Sequence, residues 1–289
     1  MSTSKNPNWS SKDISLLRNH FRDLDKQKLL RLFPQRSWLA IMAKAERLDV
    51  FRDRQKPRQA VNENYFKTWS SRMAYVLGFI LADGCIIHGT YKGYSDALKF
   101  GVQLQDIDIL EKIKNELDSE HALSKVGNAV HLCITSQIIV DDLKKLHIDY
   151  QKSLRETLPT VPRKFMRDFI RGVFDGDGGI SVNSQQHPTV SVAGGKETIT
   201  FIQEHFAHEL GVYSKLTLSP SSIAPDIYLH QITYRSSTAQ KILRYLYEEA
   251  DLYLERKYNL AKKVLAVSIR TKKNPSVQNK INALFAIQT

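Results

Sequence analysis

Apolar residues recur along the chain at helical spacing in three short N-terminal segments. A polar stretch around Ser10 is suited to capping the first segment, and Pro34 ends the second. Together the segments predict a small all-α domain of three short helices over residues 1–54. Residues 55–69 lack clean periodicity, so we expect a linker there, lying along a bound partner.

Two longer segments follow, and both alternate helical and strand periodicity in the same order. Residues 70–158 predict helices over 70–83, 106–117 and 137–146, with strands over 85–88, 97–105 and a hairpin within 126–135. Residues 159–265 predict helices over 164–177, 197–210, 238–249 and 253–264, with strands over 179–183, 188–194, 213–219 and 227–235. The pattern predicts an α+β fold of two pseudo-symmetric αββαββα units with antiparallel, saddle-like sheets. Residues 266–289 form a basic C-terminal tail.

Each unit begins with an apolar run that ends in Asp-Gly, over residues 76–84 and 170–178. The two runs align residue for residue, 94 positions apart. Each has a pair of small residues four positions apart, which are Gly78 and Ala82 in the first and Gly172 and Gly176 in the second. Residues at this spacing share one helical face, and small side chains let a second helix approach closely. We therefore expect two helices packed against each other, with Gly84 and Gly178 as left-handed caps at their C-terminal ends.

This packing brings Asp83 and Asp177 side by side at two helix C-termini. The helix dipole is negative at that end, and two neighbouring carboxylates repel each other. A positive group is needed to compensate, and a divalent metal ion suits two carboxylates.

Composition and charge favour a polyanionic partner or an acidic membrane surface. The chain has 289 residues, a net charge of +12 and a pI of about 9.5. The charge is uneven, because residues 1–67 carry a net +8 and residues 262–289 carry +6, which leaves −2 for the residues between them. The two flanks are therefore expected to contact the partner electrostatically.

Several classes of protein do not fit the sequence. Two cysteines are too few for a disulfide framework or a thiolate zinc site, and the nine histidines show no zinc-ligand spacing. A Walker loop, a dinucleotide glycine fingerprint, a signal segment and a membrane-length apolar run are all missing. We expect an intracellular, cytoplasmic protein, with an organelle or a phage-infected cell also open, and no membrane partner.

The two Asp-Gly runs resemble the paired motif of the LAGLIDADG homing endonucleases, in the form where one chain carries both motifs. The resemblance covers about residues 70–265. It implies a monomer that binds double-stranded DNA and hydrolyses one phosphodiester on each strand with Mg²⁺, two or three ions being shared between the motifs. Leu81 departs from the family consensus, which Asp175 keeps, at a position that does not bind metal in the family.

The resemblance also implies the site residues. The metal ligands are the last acid of each motif and the carbonyl oxygen before it: Asp83, Asp177, Ala82 and Gly176. Asp83 and Asp177 are also the catalytic residues, supported by Gln103 and Arg235. Sheet residues expected to face DNA are Lys99, Gln103, Gln105, Ser181, Asn183, Ser191, Lys215 and Arg235.

The N-terminal domain resembles a Myb/SANT-like helix-turn-helix unit, because tryptophans are widely spaced and the last helix is basic. In such units the last helix enters the major groove. The outward face of this helix is expected to place Arg36, Lys44 and Arg47 against DNA.

Two further functions stay open for this sequence. One is a non-catalytic, sequence-specific DNA-binding regulator on the same scaffold, although it would have no use for an unfavourable pair of carboxylates. The other is an RNA-binding maturase that assists splicing of an intron RNA, with which the basic flanks are compatible.

Overall fold

The computed structural model describes residues 8–50, 59–89, 96–150, 157–184, 187–220 and 228–267. The three predicted N-terminal helices are confirmed as α1 (Ser11–His20), α2 (Lys26–Leu32) and α3 (Trp38–Arg47). Each begins at a side chain that accepts a backbone N–H, from Ser10, Asp25 and Ser37 respectively. Their apolar faces meet in a core of their own.

The two units have the predicted order of elements. The first contains α4 (Ser71–Asp83), β1 (Gly84–Ile87), β2 (Ala97–Gln103), α5 (Ile107–Glu116), β3 (Leu123–Val126), β4 (Ala129–Thr135) and α6 (Gln137–Lys145). The second contains α7 (Met166–Asp177), β5 (Gly178–Val182), β6 (Pro188–Gly194), α8 (Lys196–Leu210), β7 (Thr217–Pro220), β8 (Tyr228–Arg235), α9 (Ser236–Tyr247) and α10 (Glu255–Leu265). Within the described ranges, no helix combines the length and apolar character needed to cross a bilayer.

Each unit has one antiparallel four-stranded sheet, and the two sheets share a topology. The strand orders are β1-β2-β4-β3 and β5-β6-β8-β7. Alternate residues point to opposite faces of a strand. Leu98 and Phe100 of β2 are fully buried, whereas Gly101 and Gln103 are exposed. Each sheet therefore packs one face against the helices and leaves the other outward.

Helices α4 and α7 cross at the centre of the molecule, as the small residues predict. A Cβ on Gly172 would collide with the carbonyl oxygen of Tyr75 and lie 2.7 Å from the Phe79 nitrogen. A Cβ on Gly78 would collide with the Phe169 carbonyl oxygen. The backbones thus touch where the glycines lie, and this contact brings the C-terminal ends of the helices together.

The prediction of left-handed caps at Gly84 and Gly178 is wrong. Both residues are extended, with φ near −88° and −86°, and each one begins a strand directly. The glycines are needed for space instead, because a Cβ would lie 2.8 Å from the Ile80 Cα in one case and against the Phe174 ring in the other.

The predicted linker is also corrected. Residues 51–58 lie outside the described residues, but residues 59–69 pack on the first unit. Phe66 is buried in the main core, the Asn62 N–H donates to the Leu117 carbonyl, and Ser136 donates to the Glu63 carboxylate. An apolar anchor within a short polar stretch has no periodicity, which is why the pattern did not reveal it.

Candidate functional site

Asp83 and Asp177 end the two central helices, and both are exposed. The Asp83 carboxylate lies against the second motif, because a Cβ on Gly176 would be 3.2 Å from its Oδ2 and would collide with the Ala82 Cβ. The glycine at position 176 therefore leaves the space that the first aspartate needs. The structure brings the two motif ends together, as expected from the small-residue spacing.

A buried lysine supplies positive charge at this point, and the sequence reasoning missed it. Lys257 of α10 is 4% exposed, and its Nζ donates to the carbonyls of Phe174 at 2.8 Å and Asp175 at 2.7 Å. A longer contact of 3.4 Å reaches the Gly176 carbonyl. Burial lowers the Lys257 pKa, while the carboxylates of Asp175, Asp83 and Asp177 oppose that shift. The ammonium thus satisfies the carbonyls at the end of α7 and lies in the field of both motif aspartates.

Asp175 is two residues from Asp177, but its environment is different. It is 2% exposed and accepts hydrogen bonds from the hydroxyls of Tyr75 at 2.7 Å and Tyr247 at 2.6 Å and from the Leu254 N–H at 2.9 Å. Burial raises its pKa, against these hydrogen bonds and the Lys257 ammonium. Both of its carboxylate oxygens accept hydrogen bonds from the protein, so Asp175 has a structural role in the core.

The donor groups at the motif ends suit a hard cation. Asp83, Asp177 and the carbonyls of Ala82 and Gly176 offer only oxygen, and the space beside Gly176 admits a carboxylate. In the part of the chain that the structure describes, no group of three or more His, Cys, Asp or Glu side chains forms a metal cage. Mg²⁺ commonly binds through one or two carboxylates, with water and substrate phosphate completing its shell. The residues therefore fit Mg²⁺ better than a metal that needs a full protein cage.

A cleft of about 430 Å³ lies beside Asp83, between the first sheet and the segment that leads into α10. Gln103, proposed from the sequence as a supporting residue, lines this cleft together with His131 and Arg256. The His131 ring lies over Gly101, whose Cβ would be 2.9 Å from Nδ1. Gln103 is exposed, and its Oε1 accepts a hydrogen bond from Gln105 at 2.8 Å.

The position of Arg235 does not fit its predicted catalytic role. The residue ends β8 and pairs with Thr189, whereas Gly178, next to Asp177, pairs with Val192 three residues along the same strand. Three residues span about 10 Å of strand. The register thus separates Arg235 from the motif ends. It is exposed on the outward face, where a DNA contact stays a prediction.

Besides Gln103 and Arg235, three more of the residues predicted to face DNA lie on the outward sheet faces. Lys99 pairs with Cys85 and Cys133, both exposed, and alternates with the buried Leu98 and Phe100. Ser181 is exposed, and Ser191 lies between the buried Val190 and Val192. Their contact with DNA stays a prediction.

Three others do not lie on strands, because the strands are shorter than predicted. Gln105 lies in a 3₁₀ turn that follows β2, and Lys215 precedes β7. Asn183 follows β5, and its Oδ1 accepts the His187 N–H at 2.8 Å to close the hairpin turn. All three are nevertheless exposed. At Asn183, turn formation by a polar side chain replaced the strand end that the alternation suggested.

The N-terminal domain also corrects one residue. Arg36 precedes α3, and its side chain is 8% exposed because its guanidinium lies 4.5 Å from the Trp9 ring centroid and donates to the Asn8 carbonyl. It therefore holds the domain together and does not project from the helix. Lys44 is half-buried and Arg47 is exposed on α3.

One signal in the sequence could have revealed Lys257. It shares the buried face of α10 with Ala261 and Val264, at the spacing of one helical face. A lysine at an apolar position of a helix indicates a buried partner for its charge. The roles of Arg256 and His131 depend on contacts between distant segments, for which the sequence has no comparable signal.

No protein-family model and no curated protein matches the chain. Solved structures that resemble it include the K262A mutant of I-SmaMI, at 15% identity and a TM-score of 0.48 over 76% of this chain and 99% of that one. The LAGLIDADG meganuclease I-AabMI bound to uncleaved DNA gives 13% identity and a TM-score of 0.47 over 73% and 91% of the two chains. I-SmaMI bound to an uncleaved DNA target in the presence of calcium ions gives 16% identity and a TM-score of 0.45, over 76% of this chain and 98% of that one.

These values are too low to show a family or an activity for this chain.

Proposed function

We propose that this protein is a LAGLIDADG homing endonuclease that cuts both strands of a long DNA site with Mg²⁺. The observation that carries the proposal is the meeting of two exposed aspartates, Asp83 and Asp177, at the ends of closely packed helices beside the buried Lys257. A fold does not need two carboxylates at this position, since the dipoles of both helices disfavour them. Metal-assisted phosphodiester hydrolysis does need them.

The chain's own residues have distinct tasks in this proposal. Asp83 and Asp177 would hold Mg²⁺ together with the carbonyls of Ala82 and Gly176. Bound Mg²⁺ supplies activation of the attacking water and neutralisation of charge on the phosphoryl oxygens. Lys257 keeps the carbonyls of α7 satisfied and offsets the negative charge of the two aspartates. Gln103 offers an exposed amide in the cleft beside Asp83.

The outward sheet faces would lie in the major groove, where side chains reach base edges. The two faces differ in character. The first carries Lys99, Gln103 and His131, and the second carries mainly hydroxyl and amide groups, among them Ser181, Thr189, Ser191, Gln231 and Thr233. Because both motifs lie on one chain, we propose that the protein acts as a monomer, inside the cell, on two unlike half-sites.

A cleavage selection on a randomised duplex library, with Mg²⁺ and with EDTA, tests the proposal. Wild type should cut one long site on both strands only with Mg²⁺. Asp83→Asn and Asp177→Asn should each lower the cleavage rate by roughly a thousandfold or more, because each removes a metal-binding charge. DNA affinity in EDTA should stay within about threefold, because both side chains are exposed.

Other outcomes of the same experiment would contradict the proposal. Specific binding to DNA without cleavage under any metal would indicate a regulator. Salt-dependent binding to structured intron RNA, in preference to duplex DNA, would indicate a maturase.

The N-terminal helices are proposed to extend the DNA footprint, with Lys44 and Arg47 of α3 as contacts. Phe66 belongs to the main core, so the appropriate truncation removes residues 1–50 and keeps residues 59–69. The truncated protein should still cut with Mg²⁺, with lower affinity and a shallower dependence on salt. Unchanged affinity and salt dependence would refute this role.

A further inference from the structure

Arg256 reaches from the second unit into the cleft beside the first motif. It belongs to α10, and it lines the cleft together with Asp83, Gln103 and His131. Its partner is Asp106, at the start of α5 in the first unit. The cleft beside Asp83 is therefore built from both units of the chain.

The pairing with Asp106 fixes the guanidinium and uses only one of its edges. Nε donates to Oδ1 and Nη2 donates to Oδ2, both at 2.9 Å. The Asp106 side chain is 11% exposed, whereas that of Arg256 is 48% exposed. A guanidinium has five N–H donors in a planar fork, so the edge formed by Nη1 and the second Nη2 proton remains available. This edge has the geometry for a second bidentate pair, and phosphate is a common partner for it.

The charge of the cleft favours the same ligand. Among the described residues that line it, Arg256 carries the permanent positive charge, while Asp83, Asp106 and the buried Asp175 are acidic. The guanidinium of Arg256, fixed by Asp106, can therefore bind a phosphate group in this cleft. The same phosphate would lie close to a Mg²⁺ ion held by Asp83. Arg72 shows what a purely structural bridge between the halves looks like, since it pairs with Glu116 and Asp251 and does not line the cleft.

We propose that Arg256 binds the DNA phosphate at the cut served by Asp83, and that Asp106 positions it. This inference rests on the proposed endonuclease function. Arg256 thus belongs to the second unit but assists the cut made at the first motif. Because its cleft adjoins only that motif, it favours cleavage of one DNA strand.

The test uses the full chain and the neutral double variant Asp106→Asn/Arg256→Gln, which leaves the net charge unchanged. Its control is Asp251→Asn/Arg72→Gln, which also neutralises a bridge between the units. Both strands of the selected duplex, or of a random-sequence duplex if none is selected, carry different end labels. Cutting of each strand is followed with Mg²⁺, and binding is measured against salt in EDTA.

We expect the Arg256 double variant to cut one strand roughly tenfold more slowly, or worse, and the other less than about threefold more slowly. Its binding slope against salt should fall by about 0.9, the value for one lost phosphate contact. The control should change neither quantity. Arg256→Lys, which retains a partner for Asp106, should fold normally and cut the same strand more slowly, because an ammonium lacks the fork.

Equal slowing of both strands with an unchanged slope would overturn the inference, as would no change at all. Failure of the proposed function is a separate result, because wild type would then not cut with Mg²⁺ at all. In that case the salt slope in EDTA still decides whether Arg256 contacts phosphate.

Discussion

The two central helices occupy equivalent positions, but their buried faces differ. The face of α4 is apolar, whereas α7 carries charged residues at matching positions 94 residues later. The matching pairs are Ala74 with Asp168, Leu77 with Arg171, and Leu81 with Asp175. These three charged residues of α7 are buried.

The charges of α7 hold the segment that leads into α10. Arg171 donates through Nε to the Leu252 carbonyl at 3.0 Å and through Nη1 to the Leu246 carbonyl at 3.2 Å, and its Nη2 lies 2.8 Å from Asp168 Oδ1. Asp175 accepts from Tyr247 and from the Leu254 N–H. Helix α7 thus has polar anchors, at positions where α4 is apolar, and they hold the segment that places Lys257 at the motif ends. The comparison teaches that the same motif can occur in a helix with apolar buried side chains or in one with buried charges. What both helices retain is the glycine at the α4–α7 contact, Gly78 in one and Gly172 in the other.

The largest expected effect tests what the two helices share. Gly78→Ala and Gly172→Ala should each destabilise the protein by about 3 kcal/mol or more, because the added Cβ collides with backbone of the other helix. Gly194→Ala is the control, since its Cβ would lie 3.6 Å from the nearest atom outside its chain neighbours. Urea unfolding measures the free energies. A cost for only one of the two helical glycines would contradict the equivalence of the helices.

The next prediction copies α4 into α7. Arg171→Leu should cost about 3–5 kcal/mol, because Asp168 is left as a buried charge without its partner. Asp168→Ala/Arg171→Leu restores the apolar pair of α4 and should recover most of that loss, since no unpaired charge remains. Urea unfolding of the two variants gives the difference. A double variant no more stable than the single one would show that the carbonyl contacts of Arg171 dominate.

A smaller effect separates two aspartates on the same helix. Asp175→Asn should cost about 1–3 kcal/mol, because an amide cannot accept all three hydrogen bonds as the carboxylate does. Asp177→Asn is the matched control and should change stability by less than about 0.5 kcal/mol, since the residue is exposed. Thermal unfolding with a cleavage assay should therefore show a stability loss for one variant and an activity loss for the other. Equal stability losses would contradict the different roles.

The smallest effect concerns a pH dependence that both units share. Burial lowers the pKa of His121 in the first unit and of His205 in the second. His121 also accepts the Thr135 N–H at its Nε2, which requires a neutral ring. The unfolded chain therefore takes up the proton first, so this stability is complete above the ordinary pKa of about 6.5 and is lost as the pH falls through the lower folded value.

Replacing His121 by Asn should cost about 1 kcal/mol at pH 7, the worth of one hydrogen bond, and reduce the loss of melting temperature between pH 7 and 5. His205→Asn should reduce that loss in the same direction. His187→Asn is the control, because His187 is exposed. An unchanged pH dependence in both buried variants would exclude these histidines as its source.

The sequence alone determined which elements form and in what order. Helical spacing, strand alternation and the doubled Asp-Gly motif predicted the three N-terminal helices, both units and the packing of α4 on α7. These features are local, because burial of one face of a helix or strand leaves a period in its own residues. The positions of Asp83 and Asp177 followed from the same local pattern.

Tertiary structure decided everything that depends on register or on contacts between distant segments. Neither the pairing of Arg235 with Thr189 nor the anchoring of Phe66 in the main core leaves a period in the sequence. For Lys257 the helical period indicates burial, but not the carbonyls of α7 to which the lysine donates. Gly84 and Gly178 show the same limit, since a glycine predicts a need for space or for a left-handed turn, and only the neighbouring chain decides which. The physical reason is that periodicity reports whether a residue is buried, whereas its partner is chosen by the folded chain.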